Sequence, residues 1–332
     1  MADLAVWQEP SAEEVMGYFE GLSNWGRWGD DDERGTLNFI KDEHRAAAAK
    51  LVKTGRAVSC ARDLITAFGD PGASAQMFWA ATGECCKKPE GVPNSKFGAG
   101  DVDAAVEYIG MVYHGPNITH IDTPAHLFWK GQTYNGKPAS RTSAEFGATW
   151  CPVTEMSQGV ISRGVLLDVP RALGLEAFEP GRSVTPVELQ QAADRQGVEV
   201  GEGDIVLLRT GRWHPSNFSG NVEKLSDDPK HWHAMSGWHP SCMPWLHARN
   251  VATIGSDYAQ EAMPGAYPGI EMGGTIHVIS LVAMGLPLID NCDLEALADA
   301  CIEHDRWEFQ FTLAPLRLVG ASGAPINPIA IF

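Results

Sequence analysis

His120, Asp122 and His126 fall within seven residues, in Thr119-His120-Ile121-Asp122-Thr123-Pro124-Ala125-His126. In an extended segment residues two apart share a side, so His120 and Asp122 can reach one ion, while Pro124 fixes a turn that brings His126 in from another direction. Two imidazoles and a carboxylate are donors that a divalent ion such as zinc or manganese accepts, and one group is left over to move a proton. A hydrolytic metal site uses three or more protein ligands and keeps a position open for water, so further donors must come from elsewhere. His114, ahead of the turn Gly115-Pro116-Asn117, is the local candidate. His277, opening an expected helix, and Asp290, just beyond its end in Pro287-Leu288-Ile289-Asp290-Asn291, are the distal ones.

Aromatic residues offer an apolar wall for a flat small molecule. Phe128 and Trp129 follow His126 directly, Trp238 and His239 sit in Gly237-Trp238-His239-Pro240, and Trp25 and Trp28 lie in a Gly- and Asp-rich stretch. The two N-terminal tryptophans could equally anchor the chain's start to the body. His231 and His233 fall in a polar loop, and His44, His214, His247 and His304 show no partner pattern. Other chemistries fit poorly. There is no G-x-S-x-G elbow, Ser241-Cys242 has no local motif that would depress a thiol pKa, and no G-x-G-x-x-G turn follows a strand.

The elements that must position these groups alternate in type. Helices are expected over 11–22, 42–53, 186–196, 242–249 and 277–284, from caps, early acidic residues and Ala-rich runs. Strands are expected over 104–113, 164–169, 204–209 and 251–255, with a final pair over 308–318. Residues 66–103 read as a loop, an insertion or lid. The pattern predicts an α/β fold with a mixed or parallel sheet, in one domain (66–332) carrying an N-terminal arm and helices (1–65) packed on it.

Bulk composition narrows the function. The 332 residues are 44% hydrophobic and 20% charged, enough for a sizeable core, and the formal charge of −17 with a pI near 5.0 argues against nucleic-acid or anionic-membrane partners. Met1-Ala2-Asp3-Leu4 has no basic region leading into an apolar run, and no stretch of about eighteen apolar residues follows, so a cytoplasmic protein is expected. Seven cysteines without C-x-x-C spacing fit reduced thiols, the vicinal Cys85-Cys86 being the unusual pair.

The run from Thr119 to His126 resembles the T-H-x-D-x-P-x-H signature of the cyclase-like metal hydrolases, the family of bacterial kynurenine formamidase and isatin hydrolase. Phe128 to Gly136, Asn24 to Gly29, Gly203 to Gly211, Gly237 to Cys242 and Asn250 to Asp257 are similar to the family's longer branch. The resemblance runs from about residue 24 to 320. It implies a swivelling β/β/α domain and a homodimer or homotetramer. It further implies one zinc or manganese ion held by His120 and Asp122, with His126 as general base or acid, and His277 and Asp290 as the downstream ligands. Asp290 stands where the family has Glu or Gln. Pro116 stands where the family has a further His, so either His114 ligates from a longer loop or that ligand is missing.

These readings predict a metal-dependent hydrolase opening an amide, imide or lactone bond of a small cyclic or aryl substrate, with water activated at the ion and His126 moving the proton. A lyase or ring-closing reaction on a carbonyl substrate is the alternative within the same site. A non-catalytic ligand-binding relative with a degraded site is the alternative outside it.

Overall fold

Four apolar runs, Val160–Asp168, Ile205–Arg209, Thr253–Ser256 and Leu288–Asp290, lie side by side as parallel strands. They form the centre of a nine-stranded mixed sheet in the computed structural model, which describes residues 7–64, 75–81, 106–115, 118–217, 236–262 and 274–332. Three of these strands are buried at every position and Val160–Asp168 at all but two, as expected of strands covered on both faces. Alternation divides their side chains between two cores. Val165, Leu167, Val206 and Leu208 join Leu189, Leu246, Ile279 and Leu281 on one face, whereas Leu166, Ile205 and Leu207 join Ile121, Ile289, Leu297, Phe309 and Phe311 on the other.

Antiparallel strands complete both ends of the sheet. On one side Glu308–Leu313, Ile329–Ile331 and Ala57–Ser59 follow in that order, and on the other His120–Asp122 pairs with Leu288–Asp290 and then with Gly323–Pro325. The helix expected over 186–196 forms as Pro186–Gln196: Thr185 and Glu188 make a capping box, Pro186 starts it, and Gly197 ends it at a φ of 64°. His277 ends the short helical turn Thr275–His277, which runs on into a wide-turn helix over Val278–Met284.

Several expected elements differ in extent. The second helix covers Asp42–Ala49 and stops short of 53, because the chain turns to deliver Ala57–Ser59 to the sheet edge. The strand expected at 104–113 is Val106–Gly110, and it pairs with Gln76–Ala81 apart from the main sheet; Gln76–Ala81 thus interrupts the loop expected over 66–103, most of which lies outside the described residues. The final pair expected over 308–318 is one strand, Glu308–Leu313, whose neighbours are Val160–Asp168 and Ile329–Ile331. Asp290 does not merely trail a helix; it ends a buried strand.

Cys60, Cys151, Cys242, Cys292 and Cys301 are buried free thiols, and burial pushes the Cys242 and Cys292 thiols well above the ordinary range, which suits packing rather than nucleophilic attack. Cys85, Cys86, His231 and His233 lie outside the described residues. Among the described residues no helix is long and apolar enough to cross a membrane.

Candidate metal centre

Sheet register brings the two halves of the site together. His120 stands directly opposite Asp290 across the antiparallel pair, and Asp122, two residues on, projects from the same face. Groups separated by 170 positions in the chain therefore become cross-strand neighbours. The bend after His120–Asp122 is a short helical turn, Pro124–His126, capped by the Thr123 hydroxyl, and it carries His126 back over the strand.

Asp122 is the hub. Its Oδ1 lies 2.7 Å from His114 Nδ1 and 3.4 Å from His120 Nε2, and its Oδ2 lies 3.8 Å from both His126 Nε2 and His277 Nε2. Asp290 Oδ2 is 3.4 Å from His277 Nε2. Three of the four imidazoles have one ring nitrogen tied back and the other turned inward. His120 Nδ1 meets the Ile118 carbonyl at 2.7 Å, His277 Nδ1 meets Glu261 Oε2 at 2.6 Å, and His114 Nε2 meets Ser322 Oγ at 3.2 Å. A hydrogen bond at one ring nitrogen selects which other nitrogen is presented to a metal.

The donor set fits a divalent ion. His114 Nδ1 and Asp122 Oδ1 are buried and close, yet neither is aligned in a hydrogen bond with a described residue. Two ligands of one ion, each about 2.0–2.2 Å from it, sit roughly 3 Å apart in this way without bonding to each other. His114, Asp122 and His126 form one group whose ligand atoms all lie within 4.8 Å, and His120, Asp122 and Asp290 form another. His114 therefore reaches the cluster. Pro116 lies outside the described residues.

Electrostatics point the same way. Burial works to raise the Asp122 carboxyl, but the approach of His114 and the charges of His120, His126 and His277 outweigh it and hold the pKa lowered, to about 2. Burial works to lower His277, but Glu261 and Asp290 prevail and raise it well above its ordinary value. A proton on Nε2 of that ring is what a bound cation would replace. His126 is lowered, chiefly by burial, with Asp122 opposing.

Supporting residues that sequence reading did not single out surround the cluster. Glu261 and Gln260 lie in a bend with no periodic signature; a polar pair just past a buried strand was the only hint. Asn291, at a φ of 57°, donates to the carbonyls of Gly115 and Ile118 at 2.7 and 3.1 Å and so holds Gly115, the residue after His114, in place. Gly323 makes room for it. A Cβ there would fall 2.3 Å from the Ile121 carbonyl oxygen and 3.0 Å from His114 Cε1. Gly323→Ala is therefore expected to lower stability by about 1–3 kcal/mol, as overpacking does, and to displace His114. Denaturant unfolding checks this, and an unchanged midpoint would show that the strand yields freely.

The aromatic candidates are placed variously. Trp25 donates to the Val282 carbonyl at 2.7 Å and meets Phe19 edge to face, and Trp28 packs on Phe39. Trp129 lies against the first core, beside Lys130, whereas Phe128 is exposed. Trp238 is fully buried and gives its indole N–H to Gln260 Oε1 at 2.8 Å, so it touches the cluster at second hand. His239 is buried against Trp7 with its Nδ1 2.6 Å from Ser241 Oγ, and burial lowers its pKa to about 4.

A mixed-sheet α/β domain with histidines and carboxylates gathered at one sheet end is thus the class that fold and site define. Residues 46–260 match the family model described as "Putative cyclase", and the chain belongs to that family. The crystal structure of a novel cyclase is 30% identical, with 95% of this chain and 99% of that one covered at a TM-score of 0.81. Isatin hydrolase A from Labrenzia aggregata, bound to benzyl benzoate, is 18% identical, with 85% and 94% covered at a TM-score of 0.53. An isatin hydrolase bound to the product analogue thioisatinate is 15% identical, with 88% and 98% covered at 0.54. At such identities the isatin hydrolases share the fold. The search of curated proteins returned no match for the chain.

Proposed function

We propose that this protein is a metal-dependent hydrolase that opens an amide, imide or lactone bond of a small cyclic or aryl substrate. The observation that carries the reading is the set of three imidazoles, His114, His120 and His277, each anchored at one nitrogen and turned by the other towards Asp122 or Asp290. Two structures of like fold being isatin hydrolases supports the reaction class. His114, His120, Asp122, His277 and Asp290 would hold the ion, and imidazole with carboxylate ligation suits zinc or manganese. Such an ion supplies a Lewis acid and a water acidic enough to act near neutral pH.

The chain's own groups do the rest. His126 has a side chain about one-quarter exposed and makes no hydrogen bond through its ring to a described residue, so it is free to take a proton from water and return it to the leaving atom. Its lowered pKa keeps the ring neutral, the form in which it can accept that proton. Phe128, two residues on and exposed, offers an apolar face to a flat substrate. Turnover of a panel of cyclic amides, imides and lactones in heavy-oxygen water tests the reaction. Label in the ring-opened product is expected, lost when the protein is stripped with a chelator and regained with Mn2+ or Zn2+. A product formed without label would assign the site to a lyase or ring-closing reaction.

A further inference from the structure

The bend that follows Thr253–Ser256 grips both downstream ligand candidates at once. Gln260, fully buried, donates from Nε2 to Asp290 Oδ1 at 2.7 Å and to the Ile289 carbonyl at 2.9 Å. Its Oε1 accepts from Trp238 Nε1 at 2.8 Å, and its carbonyl accepts from the Trp238 backbone N–H at 2.8 Å. Both ends of the carboxamide are therefore engaged, and its orientation is fixed. The next residue, Glu261, accepts from the His277 backbone N–H at 2.9 Å through Oε1 and lies 2.6 Å from His277 Nδ1 through Oε2.

The bend is itself held at its start and its back. Asp257, fully buried, accepts from the backbone N–H groups of Thr210, Gly211 and Arg212 at 2.9, 2.8 and 3.1 Å and from the Thr210 hydroxyl at 2.7 Å. Behind it Gly237 is packed so closely that a Cβ would lie 2.3 Å from the Gln260 carbonyl oxygen. Two consequences follow. Because Gln260 occupies Oδ1, Asp290 presents Oδ2, the oxygen 3.4 Å from His277 Nε2, to the cluster. Because Glu261 can accept at both His277 N–H groups, the ring keeps its proton on Nδ1 and points Nε2 inward.

We propose that Gln260 and Glu261 are positioning residues of the metal centre, Gln260 restricting Asp290 to one ligating oxygen and Glu261 fixing which nitrogen His277 presents. This rests on the hydrolase reading only in taking the cluster to bind a divalent ion. In Glu261→Gln the carboxamide offers one acceptor where two donors need one, so an N–H group must face either the His277 backbone or its ring. In Gln260→Ala both oxygens of Asp290 become available and the carboxylate loses its anchor.

Titration of metal-stripped protein with Mn2+, followed calorimetrically, is the test, with the visible spectrum of the Co2+-loaded protein as a report on ligand geometry. Both variants are expected to bind Mn2+ about 10–100-fold more weakly than wild type and to alter the Co2+ spectrum, with Glu261→Asp recovering part of the affinity. Equal Mn2+ affinity and an unchanged Co2+ spectrum in Glu261→Gln and Gln260→Ala would overturn the proposal while leaving the hydrolase reading in place. Wild-type protein that binds neither ion would overturn both. If Glu261→Gln does not fold, Gln260→Ala and Glu261→Asp decide the matter by the same two measurements.

Discussion

Asp122→Asn is expected to abolish ion binding and turnover together, leaving the fold intact. The substitution conserves volume, so the core around the strand is not disturbed, but it removes the one carboxylate among the described residues that approaches all four imidazoles. Both candidate ligand groups contain Asp122, so its neutralisation weakens each of them. The loss of affinity should far exceed the roughly 10–100-fold typical of changes to supporting residues, because here a charge that faces the ion is deleted. Calorimetric titration with Mn2+ and a steady-state assay measure the two effects. An Asp122→Asn variant that bound the ion as tightly as wild type would remove Asp122 from the centre of the account.

His126→Ala is expected to separate the two properties. Turnover should fall by about 10²–10⁴-fold, the contribution of a positioned acid or base, while Mn2+ affinity stays near the wild-type value. The physical ground is the contrast with its neighbours: His114, His120 and His277 are tied at one nitrogen, whereas the His126 ring lies stacked on His114, 4.0 Å between centroids, without such a tether to a described residue. The geometry also permits a different outcome, since His126 belongs with His114 and Asp122 to one compact donor group. Metal loss equal to that of Asp122→Asn would make His126 a ligand and leave the proton carrier to be found elsewhere.

The near half of this site was legible in the sequence because period two is a local property. His120 and Asp122 share a face wherever the segment is extended, and Pro124 announces the turn before His126. The far half was legible only as candidates. Leu288–Asp290 is three residues of strand following a glycine and a proline, too short for a periodic signal, and the pairing of Asp290 with His120 is a matter of register between distant segments. Gln260 and Glu261 left no more than the hint of a polar pair past a buried strand, since each owes its role to a contact partner 16 to 30 residues away. The same limit applies to Trp238. An aromatic residue beside a histidine suggests a pocket wall, but its burial and its bond to Gln260 are tertiary facts. Gly323 shows a further limit: its need for space comes from His114 and Ile121, which approach it from another strand and another loop.

The central claim, that Asp122 and the imidazoles around it hold a divalent ion, is tested most directly by anomalous diffraction from crystals grown with Mn2+. The account predicts a peak beside Asp122 within about 2.0–2.3 Å of its carboxylate and of His120 Nε2, with His114, His277 or Asp290 completing the shell. A well-ordered cluster with no peak, or a peak that Asp122 does not touch, would contradict it.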